Sequence, residues 1–196
     1  MPHMTTLEGP ALKAYLLMRR QIMKEAARIN NLSDAQAWGI TIPPPEAVTF
    51  ENLLPSPDAV LKITDLEPED LGIPCNSTTE YGYKYSLAAG ENTNQIETTI
   101  PNGRVIGIFG ISVLSKPMAT TEAFATSALV QIDVNIGGRE ARVWPVQNVY
   151  DTGEKRLFFL DPIIITEAKK LTIDLWAATA AEVRLTWLGL ISEPKE

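Results

Sequence analysis

Few side chains in this 196-residue sequence are equipped to make or break a covalent bond. The one histidine, His3, lies in the opening segment, residues 1–4, which is set aside from fold reasoning. No Ser/His/Asp or Cys/His nucleophile system can then be assembled in the body, and a histidine-based metal site is excluded for the same reason. Cys75 is the one cysteine, so no intrachain disulfide framework is expected; with no histidine or CxxC partner near it, it reads as a buried or incidental thiol. Carboxylates alone could hold a hard cation, and Asp133, Asp151, Asp161 and Asp174 are the candidates, but no DxDxDG-type spacing is present. They read more simply as solvated strand faces and turn caps, with Asp161 before Pro162 as a strand-entry residue. A carboxylate pair for glycoside hydrolysis depends on a separation in space that sequence does not display. Neither GRVIGIFG at residues 103–110 nor Gly137-Gly138 is a phosphate loop, the first lacking the lysine and following helix that phosphate binding requires. Asn76-Ser77-Thr78 matches the glycosylation pattern, a weak three-residue signal. The expectation is no catalytic residue, no metal and no cofactor.

What remains are side chains suited to contact. Trp144, Trp176 and Trp187 could form a sugar-stacking platform or pack in a core or subunit interface; Trp176 falls on the polar face of its strand and is the candidate exposed aromatic. Toward the amino terminus, Leu12, Tyr15, Leu16, Arg19, Arg20, Met23, Trp38 and Phe50 are the candidate partner-binding residues.

The elements that carry them differ in texture. Over residues 10–29, Leu12, Tyr15, Leu16, Ile22, Met23, Ala26 and Ile29 recur at spacings of three and four, with Lys13, Arg20, Lys24 and Arg28 mostly opposite. This predicts an amphipathic helix of about five turns, begun by Pro10 and ended by Asn30 and Asn31. Its stripe fits packing on its own domain as well as docking on another subunit. Residues 31–74 hold seven of the 14 prolines, including Pro43, Pro44 and Pro45, which force extended, polyproline-like backbone. Ser33 and Gln36 can cap a brief helix through Trp38. The segment also carries Ile40, Ile42, Val48, Phe50, Leu53 and Leu54, so it reads as a stiff arm laid along a protein surface, its own or a neighbour's. Residues 59–64 are already a candidate first strand.

From residue 75 onward, short strands alternate with turn signals. Tyr81, Tyr83 and Tyr85 share a face with period two, followed by a loop at Gly90, Asn92 and Asn94; residues 95–100 form the next strand, closed by Pro101-Asn102-Gly103. Residues 104–114 are apolar on both faces, Val105, Phe109, Ile111 and Val113 on one and Ile106 and Ile108 on the other, which predicts a central strand or one covered on both sides. Val130, Ile132, Val134 and Ile136 alternate into a Gly137-Gly138 hairpin, and a turn at residues 151–153 leads to a strand at residues 158–166. Leu171, Ile173 and Leu175, then Val183, Leu185 and Trp187, give a last pair of strands joined by a short loop. Eight or more strands with no helical period after residue 74 predict a mainly β, antiparallel sandwich of jelly-roll-like wiring, with an amphipathic helix (residues 1–30) and a proline-rich arm (residues 31–74) ahead of a body at residues 75–196.

The net charge of −7 argues against nucleic acid as the partner of the whole surface. It is unevenly placed: residues 1–30 carry five basic and two acidic side chains, the remainder 12 and 22. A basic amino-terminal segment on an acidic body could meet an acidic neighbour, or simply be a solvated helix face. No secretory signal pattern is read at the amino terminus, and the longest apolar run, residues 105–114, is too short to cross a bilayer as a helix.

The portion from about Val130 onward, with VQIDVNIGGREARV, FFLDPIIIT, LTIDLWA and VRLTWLGL, resembles the jelly-roll capsid cement and head-decoration proteins of tailed-phage virions. The resemblance covers about a third of the chain and rests on texture. It implies a non-enzymatic protein of the capsid exterior that forms a homo-oligomer, commonly a trimer, and clamps the major capsid protein or other assembly subunits, with no nucleic-acid or membrane partner. On this reading the arm reaches over a neighbour, and removing residues 1–40 leaves a folded body. The rival is a carbohydrate- or receptor-binding β-sandwich that uses Trp176 or the tyrosine row.

Overall fold

The computed structural model of the chain describes residues 7–118, 121, 128–146 and 155–195. His3, Asp151 and the expected turn at residues 151–153 lie outside the described residues. Helix α1 (Gly9–Ile29) has Pro10 in its first turn, where an amide hydrogen has no helical partner anyway. Asn30 closes it, its side-chain amide donating to Ala26 O at 2.9 Å and to Gly103 O at 3.1 Å. Asn31 then takes the left-handed conformation, φ 55°. A capping box between Ser33 and Gln36 opens helix α2 (Asp34–Trp38). Beyond it the chain is extended apart from short 3-10 turns at Pro45–Ala47, Glu51–Leu53 and Pro68–Leu71.

Nine strands follow among the described residues: β1 (Leu61–Asp65), β2 (Lys84–Leu87), β3 (Gly90–Thr99), β4 (Val105–Pro117), β5 (Leu129–Ile136), β6 (Arg139–Pro145), β7 (Arg156–Thr166), β8 (Lys170–Ala177) and β9 (Ala181–Pro194). One sheet has the order β1-β9-β4-β7, with β2 also on β9; the other is β3-β8-β5-β6. Every pairing is antiparallel. The pairs β5·β6, β4·β7, β3·β8 and β2·β9 nest one outside another, as in a long hairpin rolled over on itself, and rolling adds β4·β9 and β5·β8. That is jelly-roll wiring. The tip is the Gly137-Gly138 turn, where both residues have positive φ (61° and 77°), as a two-residue turn between twisted strands requires.

Ile106, Ile108, Ile111 and Val113 from β4, Val183, Leu185 and Trp187 from β9, and Leu171, Ile173 and Leu175 from β8 fill the space between the sheets. A second core lies on the other side of the first sheet, where Met18, Ile22 and Met23 of α1 pack over Val105, Phe109 and Leu190. Each such fully buried side chain contributes about 1.5–3 kcal/mol. Gly107 faces the helix, and a Cβ there would stand 2.4 Å from Ile22 Cδ1, so its missing side chain lets α1 settle close to the sheet.

Several expectations change in detail. Strand β4 is central and covered on both sides, but Ile111 and Val113 lie on the Ile106 and Ile108 side. The reason is a one-residue bulge at Phe109, between the Ile108–Gly189 and Gly110–Leu188 partners, which shifts the alternation by one. The last two strands are not hydrogen-bonded to each other: β8 and β9 belong to opposite sheets, and residues 178–180 cross between them. The tyrosine row is broken. Glu80 and Tyr81 both have left-handed backbone in a turn ahead of β2, so Tyr81 is 73% exposed while Tyr83 and Tyr85 join the inter-sheet core. The expected loop at Gly90, Asn92 and Asn94 is part of β3, with an irregularity between Asn92 and Ile96.

Candidate functional site

The helix and arm lie on the chain's own body, which corrects the reading of Tyr15, Arg19, Met23 and Trp38 as contacts for a partner. Tyr15, Met23 and Trp38 are buried in the core beneath and beside α1. The Trp38 indole donates to Met23 O at 2.9 Å, drawing α2 back over α1. Arg19, only 8% exposed, donates through Nε to Leu53 O at 3.3 Å, and its guanidinium lies 6.0 Å from the centre of the Phe50 ring. Arg20 donates through Nε to Pro43 O at 2.7 Å, and Lys24 pairs with Asp34. The basic side of the helix therefore fastens the arm, Arg19 and Arg20 supplying donors to two of its main-chain carbonyls. Leu12, Leu16 and Phe50 remain half-buried, and Leu12 and Leu16 line a shallow cavity with Pro45 and Val48.

A larger cavity, about 300 Å³, opens between the first half of α1 and the outer face of the first sheet. Its position follows from the edge of β9. Strand β1 pairs with residues 190–194 and β2 with residues 181–184, so the stretch between, held by β4 on its other side, has no paired strand on this edge. Leu66 N–H donates to Gly189 O at 3.0 Å and Leu185 N–H to Tyr83 O at 3.1 Å, marking the two ends of the gap. Tyr15, Phe109 and Phe158 line the cavity; Tyr15 meets Phe109 edge-on at 5.3 Å and Phe109 stacks on Phe158 at 5.8 Å. Two charged groups also line it, Asp65 and Arg156. Burial holds the Asp65 carboxyl above its ordinary value, and nearby positive charge, that of the amino terminus and then of Arg19, opposes that shift. Burial likewise raises the Tyr15 phenol. The Tyr83 hydroxyl donates to Leu66 O at 3.1 Å.

Among the described residues, no α-helix packs on the outer face of the second sheet. Trp176 stands there at 38% exposure, with Glu91 and Gln131 directly across on β3 and β5. Pro145 continues that row, and the next row holds Asp174, Asp133 and Val143, the last 40% exposed. Asp133 and Asp174 oppose each other across β5 and β8, an unfavourable like-charge pairing. Each carboxylate has its own donor: Gln131 Nε2 reaches Asp133 at 2.7 Å and Asn94 N–H reaches Asp174 at 2.6 Å. The other tryptophans are structural. Trp187 is buried and its indole donates to Tyr85 Oη at 3.3 Å, while Trp144 stacks on Phe159 at 4.1 Å to close one side of the sandwich. Asp161 pairs with Arg142 at the surface. Cys75 is half-buried and is not in a disulfide. Among the described residues no group of three His, Cys, Asp or Glu is placed to hold a metal ion, and no helix is long and apolar enough to cross a membrane.

Sequence reasoning singled out Trp176 but not the aromatic cavity. Tyr15, Asp65 and Phe158 are distant in the chain, and only the break between β1 and β2 brings them to one place.

No protein-family model matches the chain, and no curated protein is significantly similar to it. Among solved structures, the chain is similar to dimeric latent PorU from Porphyromonas gingivalis, at 14% identity and a TM-score of 0.31. The match covers 69% of this chain and 12% of that one.

Proposed function

We propose that the chain is a non-enzymatic structural subunit of a phage virion, of the cement or decoration kind, that forms a homo-oligomer and seats on capsid subunits. The observation that carries this reading is the outer face of the second sheet, where Trp176, Val143 and Pro145 stand exposed on neighbouring rows. A large aromatic ringed by polar groups is the residue type that dominates binding energy at protein interfaces. Jelly-roll wiring and the texture of residues 130–191 support the virion assignment. With α1 and the arm folded on the chain's own body, the sheet face replaces the arm as the contact surface. Size-exclusion chromatography with light scattering tests it: the wild-type chain is expected to be an oligomer, and Trp176→Arg is expected to lower the mass with an unchanged circular dichroism spectrum. A monomeric wild type, or an oligomer indifferent to the substitution, overturns the reading.

A second reading is favoured by the neighbours of Trp176. Gln131 and Glu91 flank the indole across the strands, and an apolar ring beside hydrogen-bonding side chains can stack a sugar. A saturable glycan signal lost in Trp176→Ala, with the oligomer mass unchanged, would select this reading instead.

A further inference from the structure

We infer that the cavity between the first half of α1 and the first sheet is a binding site for a small monocarboxylic acid with an apolar body, its carboxylate held at a row formed by Arg156, Ser112 and Thr186. Register places these three side by side. Ser112 on β4 is opposite Arg156 on β7 and opposite Thr186 on β9, and all three line the cavity. Directly opposed side chains on one face of a sheet lie about 5 Å apart at Cβ, close enough for one carboxylate to reach neighbouring members of the row. Both hydroxyl residues are half-buried, and among the described residues no hydrogen bond engages the Ser112 or Thr186 hydroxyl, so each has a proton to offer an acceptor. Arg156 has a partner of its own and adds positive charge at the exposed end of the row.

The next row along is apolar. Gly110 is opposite Phe158 and Leu188, and a Cβ on it would stand 3.0 Å from Phe158 Cδ1 and 3.4 Å from Leu188 Cδ1, so these two side chains close over the glycine as a floor. At the strand rise the polar and apolar rows are about 7 Å apart, the dimension of a polar head joined to a short apolar body. The volume, about 300 Å³, is at the small end of the range for ligand pockets and suits a molecule of few heavy atoms. Asp65 does not oppose an anion at the row. It is opposite Leu190, four residues from Thr186 on β9 and so roughly 13 Å away along the strand, and the amino terminus and Arg19 already offset its charge. Among the described residues Arg156 is the one cation that lines the cavity, which matches a single negative charge and not a phosphate dianion.

The test is a titration of the full chain with hexanoate at neutral pH, in parallel with acetate, which has the head alone, and with hexanol, which has the apolar body without the charge, followed by calorimetry or amide chemical shifts. Hexanoate is expected to bind saturably and about tenfold more tightly than the alcohol, because hydrogen bonds to a carboxylate are charge-assisted, and acetate is expected to bind far more weakly than either. Thr186→Val and Ser112→Ala are each expected to reduce the preference for the acid over the alcohol while changing alcohol binding much less. No saturable hexanoate binding, equal affinity for hexanoate and hexanol, or a preference that both variants leave intact overturns the inference. Should neither variant fold, the ratio of the two affinities in the wild-type chain decides alone.

Discussion

Arg19 and Arg20 look from the sequence like cations waiting for an acidic partner, yet both donate into main-chain carbonyls of the arm. Helical periodicity can put a charge on a face, but it does not say what covers that face. Replacing Arg19 by Met keeps much of the apolar stem and removes the donor to Leu53 O, leaving a buried carbonyl without its partner. Chemical denaturation should show a loss of about 1–3 kcal/mol. Arg19→Lys should not restore it, because the donor is Nε of a planar guanidinium. A second residue with reach is Glu80. Its hydrogen bonds from Lys84, at 2.6 Å, and from Arg184 hold its carboxyl down to about 2. The folded value lies below the unfolded one, so its contribution is complete above the ordinary carboxylate range and is lost as pH falls toward about 2. Glu80→Gln is therefore expected to flatten part of the acid limb of a stability-versus-pH curve measured by thermal melting. Trp176 was legible because Leu171, Ile173 and Leu175 fix the buried face of β8. Tyr81 was not, because two left-handed residues end the strand period one step before Tyr83.

Among the elements, α1 and α2 were readable almost to the residue, since Pro10, the Ser33–Gln36 box and the asparagines act locally. The surface under α1 was not readable. A stripe at helical spacing is satisfied equally by a neighbour or by the chain's own sheet, and only the packing of Met18, Ile22 and Met23 on Val105, Phe109 and Leu190 shows which. This reverses the expected result of an amino-terminal deletion. Without residues 1–40 the apolar outer face of the first sheet, Val105, Phe109 and Leu190 included, would meet water. The truncated chain is expected to aggregate or bind a hydrophobic dye such as ANS, where the intact chain does neither. The milder Met18→Ala should cost about 2–5 kcal/mol in a denaturant titration. A truncated chain that melts as cooperatively as the intact one would contradict this packing.

For the whole molecule, composition and strand spacing were enough for an antiparallel sandwich, and mixed connection lengths pointed to a rolled topology. The partner of each strand was out of reach, because alternation fixes the buried face of a strand and not its neighbours. Hence β8 and β9, adjacent in sequence and alike in pattern, fall in opposite sheets. The charge asymmetry also fades at this scale. Lys24 and Arg28 are paired with Asp34 and Glu25, so the helix is not a bare cationic surface. The exposed aromatic on the second sheet is the better guide to contacts, and the light-scattering comparison with Trp176→Arg is the experiment that belongs to this scale.

Strand β9 pairs with β1, β2 and β4, so three strands of the first sheet wait for the most carboxyl-terminal one. During translation the Gly137-Gly138 hairpin can form early, but β1, β2 and one edge of β4 stay unsatisfied until residues 181–194 leave the ribosome exit tunnel. Such long-range closure is slow. A chain cut short after residue 180 should thus remain protease-sensitive throughout its first sheet, and a chain that includes residues 181–194 should gain protection there in a single step.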